Sequence, residues 1–265
     1  MLLITVNDII QTIERYAPVE IQESWDNTGL QVGHRQMSVT GVLTCVDVTP
    51  ERIDEAVKCG ANMIVSHHPL LFRGLKNITG DTGVQRAVEQ ALINGIAIYS
   101  SHTATDSTQN GISALMADAL GAKVIMPLKP SSPGSPTGLG VVAELPEAVS
   151  PCTFIAMAKK AFGNDVVRTT DPELAPRAIR RIAMCGGAGD DMIGSAIAAG
   201  AQAYVTAELR YHHFVDFARD ILLLDCGHYE TEQASKIKFK EIISKDFPNL
   251  KVLISNQEIN PVKYI

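Results

Sequence analysis

Residues 42–69, VLTCVDVTPERIDEAVKCGANMIVSHHP, decide how this chain is read. Val42 to Val46 is an apolar run of strand length. Thr49-Pro50 then supplies an N-cap and a proline at the first helical position, and Gly60 stops the helix. Met63 to Val65 is a second apolar run, closed by Ser66-His67-His68-Pro69 because proline cannot continue a ladder. Strand, helix, glycine and strand in this order predict a β-α-β unit. Outward from it, Val84, Val88, Ala91 and Leu92 have the i, i+4, i+7, i+8 spacing of one buried helix face, ended by Gly95. Ile96 to Tyr99 follows as a third strand, and Asn110 is placed to cap a helix ending near Gly121. The alternation predicts an α/β fold whose mainly parallel sheets are covered by helices.

Residues 127–138, PLKPSSPGSPTG, hold four prolines, two glycines and three serines. Such a composition is ill suited to a helix or strand interior, so a domain boundary is expected there. Beyond it the sequence predicts a helix opened by Ser150-Pro151, strands at Val166 to Arg168 and Ile182 to Met184, and a helix across Met192 to Ala199. A shift of 140 positions lays residues 180–208 over 40–68 with Cys45/Cys185, Ile53/Ile193, Ala56/Ala196, Gly60/Gly200, Ala61/Ala201 and Val65/Val205 identical. Two similar α/β halves, or two unrelated β-α-β units sharing common core residues, both produce this match. In that register Ala207 and Glu208 stand where His67 and His68 do.

With 265 residues the chain exceeds the usual domain of about 100 to 200 residues, so one large domain or two small ones are open. At 46% hydrophobic and 20% charged residues the composition is that of a globular protein. No stretch is apolar for the roughly 18 residues of a membrane helix. The N-terminal Met1-Leu2-Leu3-Ile4-Thr5-Val6 has no basic lead, so a cytoplasmic protein is expected. Cys45, Cys59, Cys152, Cys185 and Cys226 form no C-x-x-C, which argues against a disulfide framework or a cysteine zinc site. The net charge of −6 repels phosphate backbones and disfavours nucleic acid as a partner.

Three segments share one design, an apolar strand followed at once by metal-capable side chains. Val65-Ser66 leads to His67-His68, Tyr99-Ser100-Ser101 to His102 and then Asp106, and Leu222-Leu223-Leu224 to His228 and then Glu232. In open α/β sheets the carboxyl ends of the strands gather along one edge, where ligands bind. His228 and Glu232 lie one turn apart if Gly227 starts a helix. Adjacent His67 and His68 cannot point the same way from a regular strand, so they suit a turn or two different ions. Three imidazoles and two carboxylates, His67, His68, Asp106, His228 and Glu232, would serve a pair of ions about 3.5 to 4 Å apart, with Asp106 or Glu232 bridging. Each motif alone has a plainer reading: a solvated His-His pair, a polar loop with an N-cap, a single H-x-x-x-E.

Trp25-Asp26-Asn27-Thr28-Gly29-Leu30-Gln31-Val32-Gly33, the Ser66-His67-His68-Pro69 turn, His102-Thr103 with Asp106, and Gly227-His228 with Glu232 occur here in order. With them, nearly the whole chain resembles the Nif-three-like dinuclear metal centre proteins, also filed as GTP cyclohydrolase I type 2 homologues. The resemblance implies metal ligands at His67, His68, Asp106, His228 and Glu232, the set reached by spacing. It also implies two similar α/β domains, residues 1–126 completed by 221–265 and residues 127–220, in a ring-shaped homohexamer. Two departures stand out: Thr206-Ala207-Glu208 replaces the family's usual Thr-Gly-Asp/Glu turn, and Thr105 precedes Asp106 where an apolar residue is common. The length matches the short members that lack a large inserted domain.

The expected function is a hydrolase using two divalent ions of iron, zinc, manganese, cobalt or nickel on a small-molecule substrate such as a nucleotide. The family name suggests attack on the imidazole ring of GTP, and phosphoester hydrolysis fits the same ligands. His102 and His212 are candidate catalytic residues that shuttle protons, against structural and solvent-facing roles respectively. A non-catalytic metal-binding or partner-docking scaffold is the rival. Cys226 reads as a small buried residue rather than a nucleophile. Gly186-Gly187-Ala188-Gly189 could offer N–H groups to a phosphate but lacks the established phosphate-loop patterns. Trp25 to Gly33 is expected to shape a turn and an interface.

Overall fold

The computed structural model describes residues 3–263 and residue 265; Met1 and Leu2, part of the stretch read for a leader, lie outside them. The chain divides into two compact units, one running to Thr105 and resuming over Gln233–Ile259, the other Asp106–Glu232 with the chain end from Asn260. The first contains α1 (Val6–Tyr16), β1 (Gly29–Val32), β2 (Val42–Cys45), α2 (Pro50–Cys59), β3 (Met63–Ser66), α3 (Gly83–Ile93) and β4 (Ala97–Ser100). A short helix, α4 (Thr103–Ser107), spans the change of unit. The second continues with α5 (Ile112–Ala119), β5 (Lys123–Pro130), β6 (Gly138–Val149), α6 (Pro151–Phe162), β7 (Arg168–Thr169) and β8 (Ile179–Ala188). Then come α7 (Ile193–Ala198), β9 (Ala203–Ala207), α8 (Tyr211–Asp216), β10 (Leu222–Asp225) and α9 (His228–Glu232), before α10 (Ala234–Asp246) and β11 (Val252–Ile254) return to the first unit. Among the described residues no helix is long and apolar enough to cross a membrane.

The first sheet has the order β1-β4-β3-β2-β11, parallel throughout except for β1 against β4. Alternation along β3 sorts its side chains between two layers, as the period of two requires. Met63 and Val65 pack with Ile9 of α1 and Phe239 of α10, while Ile64 packs with Ile53 of α2 and Ala87 of α3. The helix caps follow the sequence: Pro50 opens α2, and Gly60 closes it at φ 74°, a conformation that L side chains resist.

The second sheet, β5-β6-β8-β9-β10-β7, is mixed, which corrects the expectation of mainly parallel sheets for this unit. Only β8-β9 and β9-β10 pair in parallel. The reason is the β5-β6 hairpin, built from the segment expected to be a boundary without regular structure. Pro127 and Pro130 lie within β5 because it is an edge strand, where a missing N–H is tolerated. Residues 127–138 therefore fall inside the second unit. Tyr204 of β9 packs with Ile193 and Ala196 of α7, and its neighbours Ala203 and Val205 pack with Ile112 of α5 and Phe154 of α6.

The two strand-helix-strand units keep one register. Val42 pairs with Met63 and Thr44 with Val65; at 140 positions' offset Ile182 pairs with Ala203 and Met184 with Val205. The helix ends also match, with Gly60 and Gly200 at φ 74° and 75°. Ala61 N–H donates to the Ala56 carbonyl over 2.9 Å, and Ala201 N–H to that of Ala196 over 3.1 Å. The two units thus agree in backbone hydrogen bonds as well as in residue types.

Three local expectations are corrected. Val84 and Leu92 are exposed, and α3 buries Gln85, Ala87, Val88 and Ala91, a face rotated toward its small residues. Gly111, not Asn110, is the N-cap of α5. The strand expected at Val166 to Arg168 is two residues long, Arg168–Thr169, pairing with β10 at the sheet edge.

Candidate metal centre

In the first unit β2, β3 and β4 run parallel, so the residues that follow them emerge at one sheet edge. Asp47 follows β2, His67 and His68 follow β3, and His102 follows β4. The ladder extends one step past β3, since His67 N–H donates to the Cys45 carbonyl (3.1 Å) and His68 N–H to that of Val46 (2.9 Å). A turn then sets in: the Ser66 hydroxyl donates to the His68 carbonyl over 2.8 Å and meets the Ser100 hydroxyl over 2.8 Å. This turn lets adjacent histidines converge. One ligating atom from each of His67, His68 and His102 lies within 4.8 Å of the others, and the ring centroids are 5.0 to 5.4 Å apart. His67 is fully buried.

Carboxylates hold two of these imidazoles. His68 Nδ1 lies 2.8 Å from Asp47 Oδ1, and His102 Nδ1 lies 2.9 Å from Asp26 Oδ1. Asp47 is itself fixed, because Glu258 accepts the Val46 and Asp47 N–H groups over 2.8 and 2.9 Å and pairs with Lys236 over 2.7 Å. Burial would raise the Asp26 carboxyl. The hydrogen bond and charge of His102, the Thr103 hydroxyl and the Asn27 N–H outweigh it and hold that group well below the usual carboxylate range.

In the second unit Gly227 precedes α9, and the helix brings His228 and Glu232 together as its one-turn spacing requires: Nε2 to Oε2 is 3.0 Å. His228 Nδ1 meets the Glu208 carboxylate over 2.7 Å, the same arrangement as in the first unit. Glu208 is a non-glycine residue at φ 59°, a costly conformation, at the position that matches His68 in the internal register. The glycine run at the end of β8 packs against this pair. A Cβ on Gly187, at φ 63°, would overlap the Glu232 carboxylate and come within 3.1 Å of His228 Nε2, and Gly187 N–H donates to the Thr231 hydroxyl over 3.0 Å. Close approach to Glu232, rather than phosphate cradling, is what this structure asks of Gly187. Asp106 is half-buried in α4. Burial pushes the Cys185 thiol up, and the charges of Asp106 and Glu232 add to it, so both carboxylates bear on one group.

His212 is exposed on α8, edge-on to Tyr211 at 5.4 Å, while the neighbouring His213 takes the contact with Asp190 at 3.8 Å. Cys226 is buried, as expected of a packing residue, and burial pushes its thiol up to about 12. The segment from Trp25 to Gly33, expected to shape a turn, ends in β1 and carries Asp26 to His102. Sequence reasoning quoted Asp26 and Glu208 in motifs without giving them a role at a histidine, and missed Asp47, whose signal was a polar residue just past a buried strand.

Imidazoles with Nδ1 engaged by carboxylates, beside further carboxylates, are the donor set that fits a divalent transition metal ion. Similar proteins match over nearly the whole chain. A "GTP cyclohydrolase 1 type 2 homolog" of Clostridium perfringens is 33% identical over 262 residues, 98% of this chain and 99% of its own. One of Streptomyces coelicolor is 34% identical over 268 residues, 97% and 93% of the two chains. Among solved structures, a Staphylococcus aureus hypothetical protein is 26% identical with a TM-score of 0.90 over the full length of both. Reduced HcgD from Methanocaldococcus jannaschii is 25% identical with a TM-score of 0.80, covering 97% of this chain and 99% of that one. A sequence model of one family matches residues 4–261, and this chain belongs to that family, Duf34/NIF3 (NGG1p interacting factor 3).

Proposed function

We propose that this chain is a dinuclear metal-dependent hydrolase in which His67, His68, Asp106, His228 and Glu232 hold two divalent cations, with Asp106 or Glu232 bridging. The observation that carries the reading is the convergence of His67, His68 and His102 at one sheet edge, two of them with Nδ1 already engaged by a carboxylate. Divalent cations held there would acidify a bound water to a pKa of about 7 and polarise the bond under attack. Asp47 and Glu208 orient His68 and His228, and the buried Glu232 adds its carboxylate one turn from His228. His102 or His212 would shuttle protons between solvent and the substrate. The relatives' name supports a cyclohydrolase acting on the imidazole ring of GTP; the same donor set serves phosphoester hydrolysis. Iron, zinc, manganese, cobalt and nickel all suit mixed imidazole and carboxylate donors.

The test is turnover of GTP and of bis(p-nitrophenyl) phosphate by protein carrying its native metal, alongside elemental analysis. About two ions per chain, with turnover lost in Glu232→Ala, supports the reading. No turnover on either substrate with metal bound favours the second one, a non-catalytic metal-binding scaffold, which the family's printed description as an interacting factor supports. We further propose a cytoplasmic homohexamer, checked by light scattering coupled to gel filtration.

A further inference from the structure

We infer that Asp26 is a positioning residue: its buried carboxylate holds His102 in the Nδ1–H tautomer and leaves Nε2 as the unprotonated nitrogen. The role assigned to that nitrogen rests on the hydrolase reading above; the tautomer does not.

The Asp26 side chain is 0% exposed and its two oxygens are saturated with donors. Oδ1 accepts from His102 Nδ1 (2.9 Å) and from the Asn27 N–H (2.7 Å). Oδ2 accepts from the Thr28 hydroxyl (3.0 Å), the Thr103 N–H (3.0 Å) and the Thr103 hydroxyl (2.6 Å). An ionised carboxylate only accepts, so the His102 contact requires a proton on Nδ1, and a neutral imidazole has just one N–H. Nε2 is then left with its lone pair. With five donors around it, the carboxylate cannot turn without breaking several bonds, so its hold on the ring is stiff.

The main chain is held as firmly. His102 N–H donates to the Thr28 hydroxyl over 3.1 Å, and Glu23 N–H to the Thr103 hydroxyl over 2.9 Å, lacing residues 23–28 to the turn that bears His102. The His102 ring meets Trp25, His67, His68 and Phe72 edge-on, at centroid distances of 5.9, 5.3, 5.4 and 6.3 Å. Backbone, ring plane and tautomer are thus set from one segment. A carboxylate that merely tied two loops together would need Thr103 and Asn27, but not the ring.

The experiment reads imidazole nitrogen shifts by NMR in 15N-labelled, metal-free protein at about pH 8.5, above the ordinary histidine range. His102 is assigned with His102→Gln. Wild type is expected to show His102 protonated at Nδ1. In Asp26→Asn the side-chain amide can donate to Nδ1, and the Nε2–H form is expected to dominate. Thr103→Val removes one bond to the same carboxylate without touching the ring, so it should lower the melting temperature and keep the tautomer. With manganese bound and bis(p-nitrophenyl) phosphate as substrate, Asp26→Asn is expected to lower kcat by about 10³-fold at little changed KM, the signature of a misprotonated base. Wild-type His102 protonated at Nε2 overturns the inference, whether or not any variant folds, as does an Asp26→Asn protein with the Nδ1–H form intact. Absence of wild-type turnover would instead sink the hydrolase reading and leave the tautomer measurement to decide this one.

Discussion

Alanine at Gly187 and alanine at Gly200 should separate backbone strain from damage to the proposed metal centre. Both glycines have left-handed φ, 63° and 75°, and both lie in the second unit. Around Gly200 nothing lies within 4 Å of an added Cβ, so Gly200→Ala carries only the left-handed strain, about 1 kcal/mol of stability. At Gly187 the same methyl overlaps the Glu232 carboxylate and approaches His228 Nε2 at 3.1 Å. Glu232 is 3% exposed, so its end cannot swing freely into solvent and must be displaced within a packed site. Overpacking adds about 1 to 3 kcal/mol to the metal-free loss. A misplaced ligand should weaken metal binding about 10- to 100-fold, the scale seen when support of metal ligands is lost. The assay is urea unfolding with and without cobalt at about 100 times the wild-type Kd. Metal should then stabilise wild type by about 2.7 kcal/mol, and Gly187→Ala by only about 1.4 to 0.4 kcal/mol. Gly200→Ala should keep the wild-type increment. Equal increments in all three proteins would refute the placement of Gly187 against a working ligand pair.

Glu208→Gly should leave metal-free stability unchanged or higher in urea unfolding, because it relieves the φ of 59°, while metal affinity falls about tenfold as His228 loses its Nδ1 partner; calorimetric titration with zinc reads the affinity, and an unchanged Kd would remove Glu208 from the site. In native protein at pH 8 a thiol reagent should modify the exposed Cys152 and spare the buried Cys45, Cys185 and Cys226, whose thiols are pushed upward by burial, with all five reacting in denaturant; mass spectrometry identifies the sites. Asp26 is held low in the folded state, so its contribution is fully present above the unfolded carboxylate range near pH 4 and is lost as pH falls toward the folded value. Wild type and Asp26→Asn should therefore differ most in unfolding midpoint at pH 6, with a gap that narrows steadily as pH falls below about 4; a constant gap would show that the charge of Asp26 is not what stabilises.

The sequence by itself determined the elements whose causes are local. Thr49-Pro50 and Gly60 bound α2, Ser150 caps α6 by accepting the Thr153 N–H, and His228 and Glu232 meet because a helix turn places them so. It also located the metal-capable side chains at strand ends and, through the 140-residue offset, a register that recurs in both halves. Only the tertiary structure decided what those side chains lean on. Asp26 reaches His102 across 76 positions, Asp47 reaches His68 across 21, and Glu208 reaches His228 across 20. No local pattern records such pairs, since they form only once strands distant in sequence lie side by side. The prolines of β5 teach the same lesson: composition marks a poor strand former, and an edge position, which only the sheet order defines, makes the strand acceptable.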